Sequence, residues 1–347
     1  MRVTAGHLTI VSVAYPFAPV TADPAGGAEQ VLAQLDRALV TARQRSVVIA
    51  PEGSQVAGAL MPVPVVVGLI DDAARARTHA AVRALIADVT ARERPDLIHL
   101  HGIDFAAYLP EPGTPVLVTL HLPLGWYDAA ALRPTRPRTH LLPVSASQAA
   151  LSEPDVMLCD PIPNGVDTER YRPGAKGPRA LVLGRIAAEK GFGDAIDAAK
   201  LAGVPLDVAG KVFPYAEHQR YFAEEVAPRL DGARRDLGPV EGEAKAALLR
   251  EARVVLIPST AAETSSLVAM EALASGTPVI AYRSGALPDI VEHGVTGYIV
   301  DDVAGMADAI GRIGAIDPAA CRAEALRRFP LARTTAAYLD LYRKLAA

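Results

Sequence analysis

The chain has little cysteine: two residues among 347, Cys159 and Cys321, far apart and not in a C-x-x-C pair. That excludes a disulfide scaffold and fits a reduced, cytoplasmic setting. No run reaches the ~18 apolar residues of a membrane span. The opening "LTIVSVAY" (Leu8 to Tyr15) has no signal-peptide cleavage pattern after it and reads as a buried strand. A net charge of −4 offers no general attraction for nucleic acid or an anionic membrane. There is no Asp-x-Asp, so the usual carboxylate motif for a metal-bound diphosphate is missing. There is also no G-x-G-x-x-G, no G-x-x-x-x-G-K-[ST] and no G-x-S-x-G. These absences speak against a dinucleotide oxidoreductase, a P-loop NTPase and a nucleophile-elbow hydrolase.

Half of the residues are hydrophobic and 21% are charged, a globular composition. Chains beyond roughly 250–300 residues usually split into two cores. Short apolar, β-branched runs alternate with Ala-rich helical stretches: "LTIVSVAY", "RSVVIAPEG", "DLIHLHG", "VLVTLH" and "LLPVSASQAAL" in the first half, then "ALVLGR", "PLDVAG", "RVVLIPS" and "PVIAY" in the second, nine strands in all. This rhythm predicts an α/β protein with two doubly wound parallel sheets, each covered on both faces. The stretch "ERYRPGAKGPRA" (169–180), rich in Pro and Gly, reads as the interdomain linker. The expected domains are therefore 1–172 and 173–330. Tyr338 and Tyr342 lie on one face of a final helix over about 331–347.

In open parallel sheets, ligands bind beyond the carboxyl ends of strands. Gly26 and Gly27 precede a helix start and suit either an anion or a plain turn. Arg185 ends "ALVLGR", and Lys190 follows beside Gly191. Two such cations could hold a diphosphate and stabilise it as it leaves. They could equally be solvated, with Glu189 as a surface partner. "RVVLIPS" leads to Glu263 in a loop, then to a helix capped by Ser265 or Ser266, ending near Gly276 and carrying Glu271. Its first-turn amides could hold a phosphate. Glu271 could grip a ligand or sit solvated on the helix exterior. His101 and His121 stand at strand ends, and His99 reads as a core histidine; no metal-ligand spacing follows them.

Taken together these segments resemble the retaining glycosyltransferases of family 4, which have the GT-B fold. The segments are "GGAEQVLAQLDRAL", "PNGVD" (Pro163 to Asp167), "GRIAAEKG" (Gly184 to Gly191), "LGPVEGEAKAALLREARVVLIPS" and the E-x7-E block from Glu263 with its glycine-containing tail. The resemblance implies two Rossmann-like domains facing a cleft, with the acceptor in the first, the nucleotide-sugar donor in the second, and the last helix crossing back to the first. It implies that Arg185 and Lys190 hold the diphosphate, with Gly27 near it. Glu263 would contact the donor sugar and Glu271 the ribose, and the amides of Ser265, Ser266, Leu267 and Val268 would complete the cradle. His121 would lie near the donor sugar and the acceptor. The implied reaction moves a hexose from a UDP-sugar, or a GDP- or ADP-sugar, to an acceptor hydroxyl with retention. It needs no metal and no cofactor besides the co-substrate.

Two departures stand out. Thr264, Ser265 and Ser266 follow Glu263 where the family often has an aromatic and a glycine, which bears on sugar identity. In "YRSGALPDI", Ala286 and Asp289 replace a common Gly and Glu. The competing readings are a nucleotide-sugar epimerase or phosphorolytic enzyme on the same fold, and a non-catalytic nucleotide-sugar-binding protein. The acceptor, whether a saccharide, a small molecule or a lipid-linked group, should touch loops such as Gly102 to Asp104 and "LPLGWYDAA". The arginine-rich "RPTRPRTH" (Arg133 to His140) would suit an anionic acceptor or a peripheral membrane contact, or is simply a solvated loop.

Overall fold

A computed structural model describes residues 7–21, 26–68 and 70–347. The chain divides into two compact units, 1–162 with 335–347, and 163–334.

The first unit holds six strands: β1 (Thr9–Val13), β2 (Arg45–Pro51), β3 (Ala59–Val63), β4 (Leu97–Leu100), β5 (Val116–Leu120) and β6 (Thr139–Pro143). All pair in parallel, in the order β3-β2-β1-β4-β5-β6. Side chains alternate across a strand, and here each face meets its own core. Val47 and Ile49 pack with Val11, Val13 and Ile98 on one face, whereas Val48 and Ala50 join Leu32 and Ala33 on the other. Leu32 and Ala33 belong to helix α1 (Gly27–Thr41). The first face is covered by α2 (Asp72–Glu93), whose Val82, Ile86 and Val89 recur at helical spacing. Asp71 caps α2 by accepting from the Ala74 amide. The helix ends at Arg94, just before Pro95, a position that proline biases away from helix. A short helix, α3 (Ala146–Ala150), follows β6.

The second unit repeats the plan with β7 (Ala180–Arg185), β8 (Leu206–Lys211), β9 (Arg234–Gly238), β10 (Val254–Ile257), β11 (Val279–Tyr282) and β12 (Gly297–Val300), ordered β12-β11-β10-β7-β8-β9. Counted within the unit this is again 3-2-1-4-5-6, the Rossmann order. Its helices are α4 (Phe192–Leu201), α5 (Ala216–Tyr221), α6 (Gly242–Glu251), α7 (Leu267–Ala274), α8 (Leu287–Ile290), α9 (Val303–Arg312) and α10 (Pro318–Arg328). A last helix, α11 (Leu331–Ala346), places Tyr338 and Tyr342 in the first unit, fully buried against the sheet.

The division between units falls at 162/163, ten residues before the expected 172/173. The "ERYRPGAKGPRA" stretch is not a free linker. Tyr171 is buried and donates to Glu271, and the Lys176 ammonium donates to the carbonyls of Arg250 and Ser275. Upstream of it, Val166 exchanges backbone hydrogen bonds with Phe329 and Leu331. Two anchoring side chains thus outweigh a composition typical of a linker.

Candidate active site

In the second unit the strand order reverses between β7 and β10. Loops leaving the carboxyl ends of these neighbours diverge and leave a crevice, the usual ligand position in such sheets. Arg185 is the last residue of β7, and the loop after it turns through Ala188 to Lys190 to reach α4. The loop after β10 carries Ser259, Glu263, Ser265 and Ser266 to α7.

The two loops are joined at several points. The Thr260 amide donates to the Glu189 carbonyl over 2.9 Å. Gly191 has φ +65°, and a Cβ there would collide with the Pro258 carbonyl. The Lys190 ammonium donates to Glu263 Oε1 over 2.6 Å, and Ser259 Oγ donates to the same oxygen over 2.5 Å. A third loop, after β11, fixes Glu263 from behind. The Ala286 amide donates to the Glu263 carbonyl over 2.7 Å, and Gly285, at φ +53°, sits where a Cβ would strike the Glu263 backbone. Arg185 Nη2 donates to Glu189 Oε1 over 2.6 Å. Both cations expected to hold a diphosphate therefore stand in one crevice, each paired with a carboxylate.

Helix α7 begins at Leu267, with Ser266 as its cap; Ser266 Oγ accepts from the Ala269 amide over 3.4 Å. Leu267 and Val268 lie in the first turn, where backbone amides lack intrahelical acceptors. Ser265 Oγ is buried without a hydrogen-bond partner among the described residues. Gly276, with φ +65°, lies two residues past the end of the helix.

Glu271 is not on a solvated exterior. It is 0% exposed, and the Lys245 ammonium lies 2.9 Å from Oε1 and 2.8 Å from Oε2, while Tyr171 OH donates to Oε1 over 3.0 Å. The sequence reading missed Lys245 and Tyr171. The available signal was a lysine on the same face of α6 as the buried Ala246 and Leu249. It also missed the backing residues Ser259 and Gly285.

In the first unit, Gly26 caps α1 in an extended conformation and Gly27 is its first residue; residues 22–25 of the preceding loop lie outside the described residues. The Glu29 carboxylate lies over Gly26, where a Cβ would collide with it. The chain's own acid thus occupies this helix start. His121 follows β5 and pairs with His101 Nδ1 at 2.9 Å, the rings stacked. Burial pushes the His121 pKa down to about 3 and holds His99 and His101 well below the usual range. All three are neutral near pH 7, so His121 can hydrogen-bond a substrate but brings no charge. His99 is a core residue, bonded to Tyr342 OH at 2.8 Å and Thr119 Oγ1 at 2.7 Å.

The arginines of "RPTRPRTH" are engaged within the chain. Arg133 pairs with Asp155 and Glu153, Arg136 donates to the carbonyls of Pro110, Glu111 and Thr114, and Arg138 donates to the Leu345 carbonyl. Trp126 is 44% exposed. A cavity of about 460 Å³ in the second unit is lined by Asp194, Ser259, Thr260, Tyr282, Asp301 and Asp302 among others. Three carboxylates against the single guanidinium of Arg283 make it poorly suited to a diphosphate, and neither Arg185 nor Lys190 lines it.

Comparison with known proteins bears on the family and the fold. The model described as "Glycosyltransferase Family 4" matches residues 25–170, and that described as "Glycosyl transferases group 1" matches 177–315. The chain belongs to glycosyltransferase family 4. This family 4 chain is 31% identical to a Mycobacterium tuberculosis glycogen synthase over 68% of its own length and 64% of the relative's. It is 34% identical to the D-inositol 3-phosphate glycosyltransferase of Saccharomonospora viridis over 53% of its length and 49% of the relative's. The matches thus span less than two thirds of these curated relatives. Among solved structures, sucrose-phosphate synthase from Thermosynechococcus elongatus aligns with a TM-score of 0.79 at 22% identity, over 97% of this chain and 99% of that one. Anabaena HepE, determined in complex with UDP-glucose, aligns with a TM-score of 0.74 at 18% identity, over 97% and 100%. The fold is GT-B. Among the described residues no helix is long and apolar enough to cross a membrane.

Proposed function

We propose that this protein transfers a hexose from a nucleoside-diphosphate sugar, UDP-linked in the first instance, to an acceptor hydroxyl with retention and without a metal. The observation that carries this reading is the convergence of Arg185, Lys190 and Glu263 in the crevice between β7 and β10. The choice of UDP is supported by the structural neighbour determined with UDP-glucose.

In this reading the diphosphate oxygens take over Arg185 and Lys190 from Glu189 and Glu263. Glu263, released from Lys190 but still held by Ser259, accepts from hydroxyls of the donor sugar. The amides at the start of α7 and Ser265 Oγ complete the cradle, and the ribose hydroxyls fall to Glu271, which Lys245 and Tyr171 hold in place. The bond between the anomeric carbon and the diphosphate oxygen breaks, and the acceptor oxygen bonds to the same face. The acceptor's proton passes to the departing phosphate oxygen. Catalysis is then mainly positioning and stabilisation of the leaving charge by two fixed cations.

The test is release of nucleoside diphosphate from UDP-, GDP- and ADP-hexoses, with the product's anomeric configuration read by NMR. Lys190→Ala should lower turnover by about 10²-fold, the usual loss for one such stabiliser. Turnover should survive EDTA. Near-normal turnover of Lys190→Ala, a metal-reversible loss in EDTA, or epimerised donor without transfer would each reject the reading.

A further inference from the structure

Beside Arg185 lies a segment that the site described so far does not use. In the β7–β8 pairing Arg185 stands opposite Lys211, and the chain beyond Lys211 runs through Phe213 and Tyr215 into α5. It therefore starts at the same sheet edge as the phosphate-binding loops. The rings of Phe213 and Tyr215 are nearly parallel, with an interplanar angle of 14° and centroids 6.3 Å apart. Tyr215 meets the His218 ring edge-on at 5.2 Å, and the Lys211 ammonium lies 5.2 Å from the Phe213 ring centre. His218 is only 8% exposed, yet its Nδ1 is buried without a hydrogen-bond partner among the described residues. A buried polar atom left unpaired keeps its full desolvation penalty, so it calls for a reason. The charges acting on this ring are the Arg185 guanidinium and the carboxylates of Glu189 and Glu217.

We propose that His218 is a further ligand for the donor's diphosphate, with Nδ1–H donating to a phosphate oxygen beside Arg185 and with Tyr215 positioning the ring. This rests on the glycosyltransferase reading above. Burial and Arg185 hold the imidazole pKa below the usual range, so the ring is neutral and can carry its one N–H on Nδ1. Arg185 favours an anionic occupant over a second cation. A phosphate oxygen satisfies both groups: it takes the N–H as acceptor and Arg185 as counter-ion.

Calorimetric titration of the full chain with UDP, GDP, ADP and the matching nucleosides tests this. His218→Phe keeps the ring and removes the donor. It should weaken the preferred nucleoside diphosphate about 10- to 100-fold, the range for one hydrogen bond to a charged group, while leaving nucleoside affinity unchanged. His218→Asn, whose amide nitrogen can stand in for Nδ1, should restore most of the loss, with melting temperatures close to wild type. Diphosphate affinity of His218→Phe within twofold of wild type would overturn the proposal. So would equal weakening in both variants accompanied by a lowered melting temperature, which would mark a packing role. A wild-type chain that binds no nucleoside diphosphate would overturn this and the glycosyltransferase reading together, whereas tight wild-type binding with an indifferent His218 overturns this alone.

Discussion

Replacing Lys245 with Met should destabilise the second unit far more than replacing Lys245 and Glu271 together. Lys245 has a side-chain exposure of 9% and Glu271 of 0%, and the ammonium contacts both carboxylate oxygens. Removing one partner of such a pair leaves a buried charge uncompensated and typically costs 3–5 kcal/mol. Replacing both with apolar side chains, as in K245M/E271L, removes the charge along with its partner, and such exchanges are often neutral or better. The expected coupling between the two positions is therefore about 2–4 kcal/mol. With a urea slope of roughly 2 kcal/mol/M for a unit of this size, K245M should move its midpoint down by roughly 1.5–2.5 M. The chain supplies its own control, because its one tryptophan, Trp126, belongs to the first unit. Tryptophan fluorescence should keep its wild-type midpoint while far-UV circular dichroism gains an earlier transition. A K245M midpoint within about 0.5 M of wild type, or a double variant as unstable as K245M, would refute the reasoning.

Three further outcomes are expected. Gly285→Ala adds a Cβ at a left-handed position facing the Glu263 backbone; strain of roughly 1–2 kcal/mol and displacement of Glu263 should lower turnover at least about tenfold. Wild-type turnover in that variant would show that Gly285 does not position the carboxylate. Lowering the pH from 7.5 to 5.5 should destabilise the first unit by about 4 kcal/mol, read by Trp126 fluorescence in urea. His99, His101 and His121 stay neutral when folded but bind protons when unfolded near pH 6.5, so stability falls with pH at about 1.4 kcal/mol each over this range; a pH-independent midpoint would contradict their depressed pKa values. Tyr342→Phe removes the hydroxyl bonded to His99 Nδ1 and should cost the first unit about 1–3 kcal/mol, a loss that urea unfolding followed by the same fluorescence would detect or exclude.

Much of the architecture was legible in the sequence because a parallel strand buried on both faces reads as an unbroken apolar run. The nine strands recognised in this way include every interior strand of both sheets. The three that escaped, β3, β9 and β12, all lie at a sheet edge. An edge strand pairs on one side only and needs less apolar content; β3 carries Pro62, and β9 is "RRDLG". Arg185 and Lys190 could be named together because one loop carries both, and the structure brings Glu263 to Lys190 from the loop after β10. The site was not legible where it depends on which side chain from a distant loop arrives. Nothing in "SGAL" announces that Gly285 backs Glu263, and nothing near Glu271 names Lys245, 26 positions earlier, as its partner.

That difference in partners gives the two glutamates, eight positions apart, separate physical roles. The Lys190 side chain is 30% exposed against 10% for its partner Glu263, and Arg185 and Glu189 stand at 31% and 25%. Ion pairs with this much water around them contribute about 0–1 kcal/mol. On the proposed reading, exchanging their carboxylates for the oxygens of a diphosphate would cost little and would leave Glu263 to accept from sugar hydroxyls while Ser259 holds it. Glu271 has no comparable freedom, since separating it from Lys245 would strand two buried charges. A ligand at Glu271 must be accepted alongside Lys245, whereas one at Lys190 replaces Glu263. Donor binding should thus respond to ionic strength through the first pair, and the fold should depend on the second.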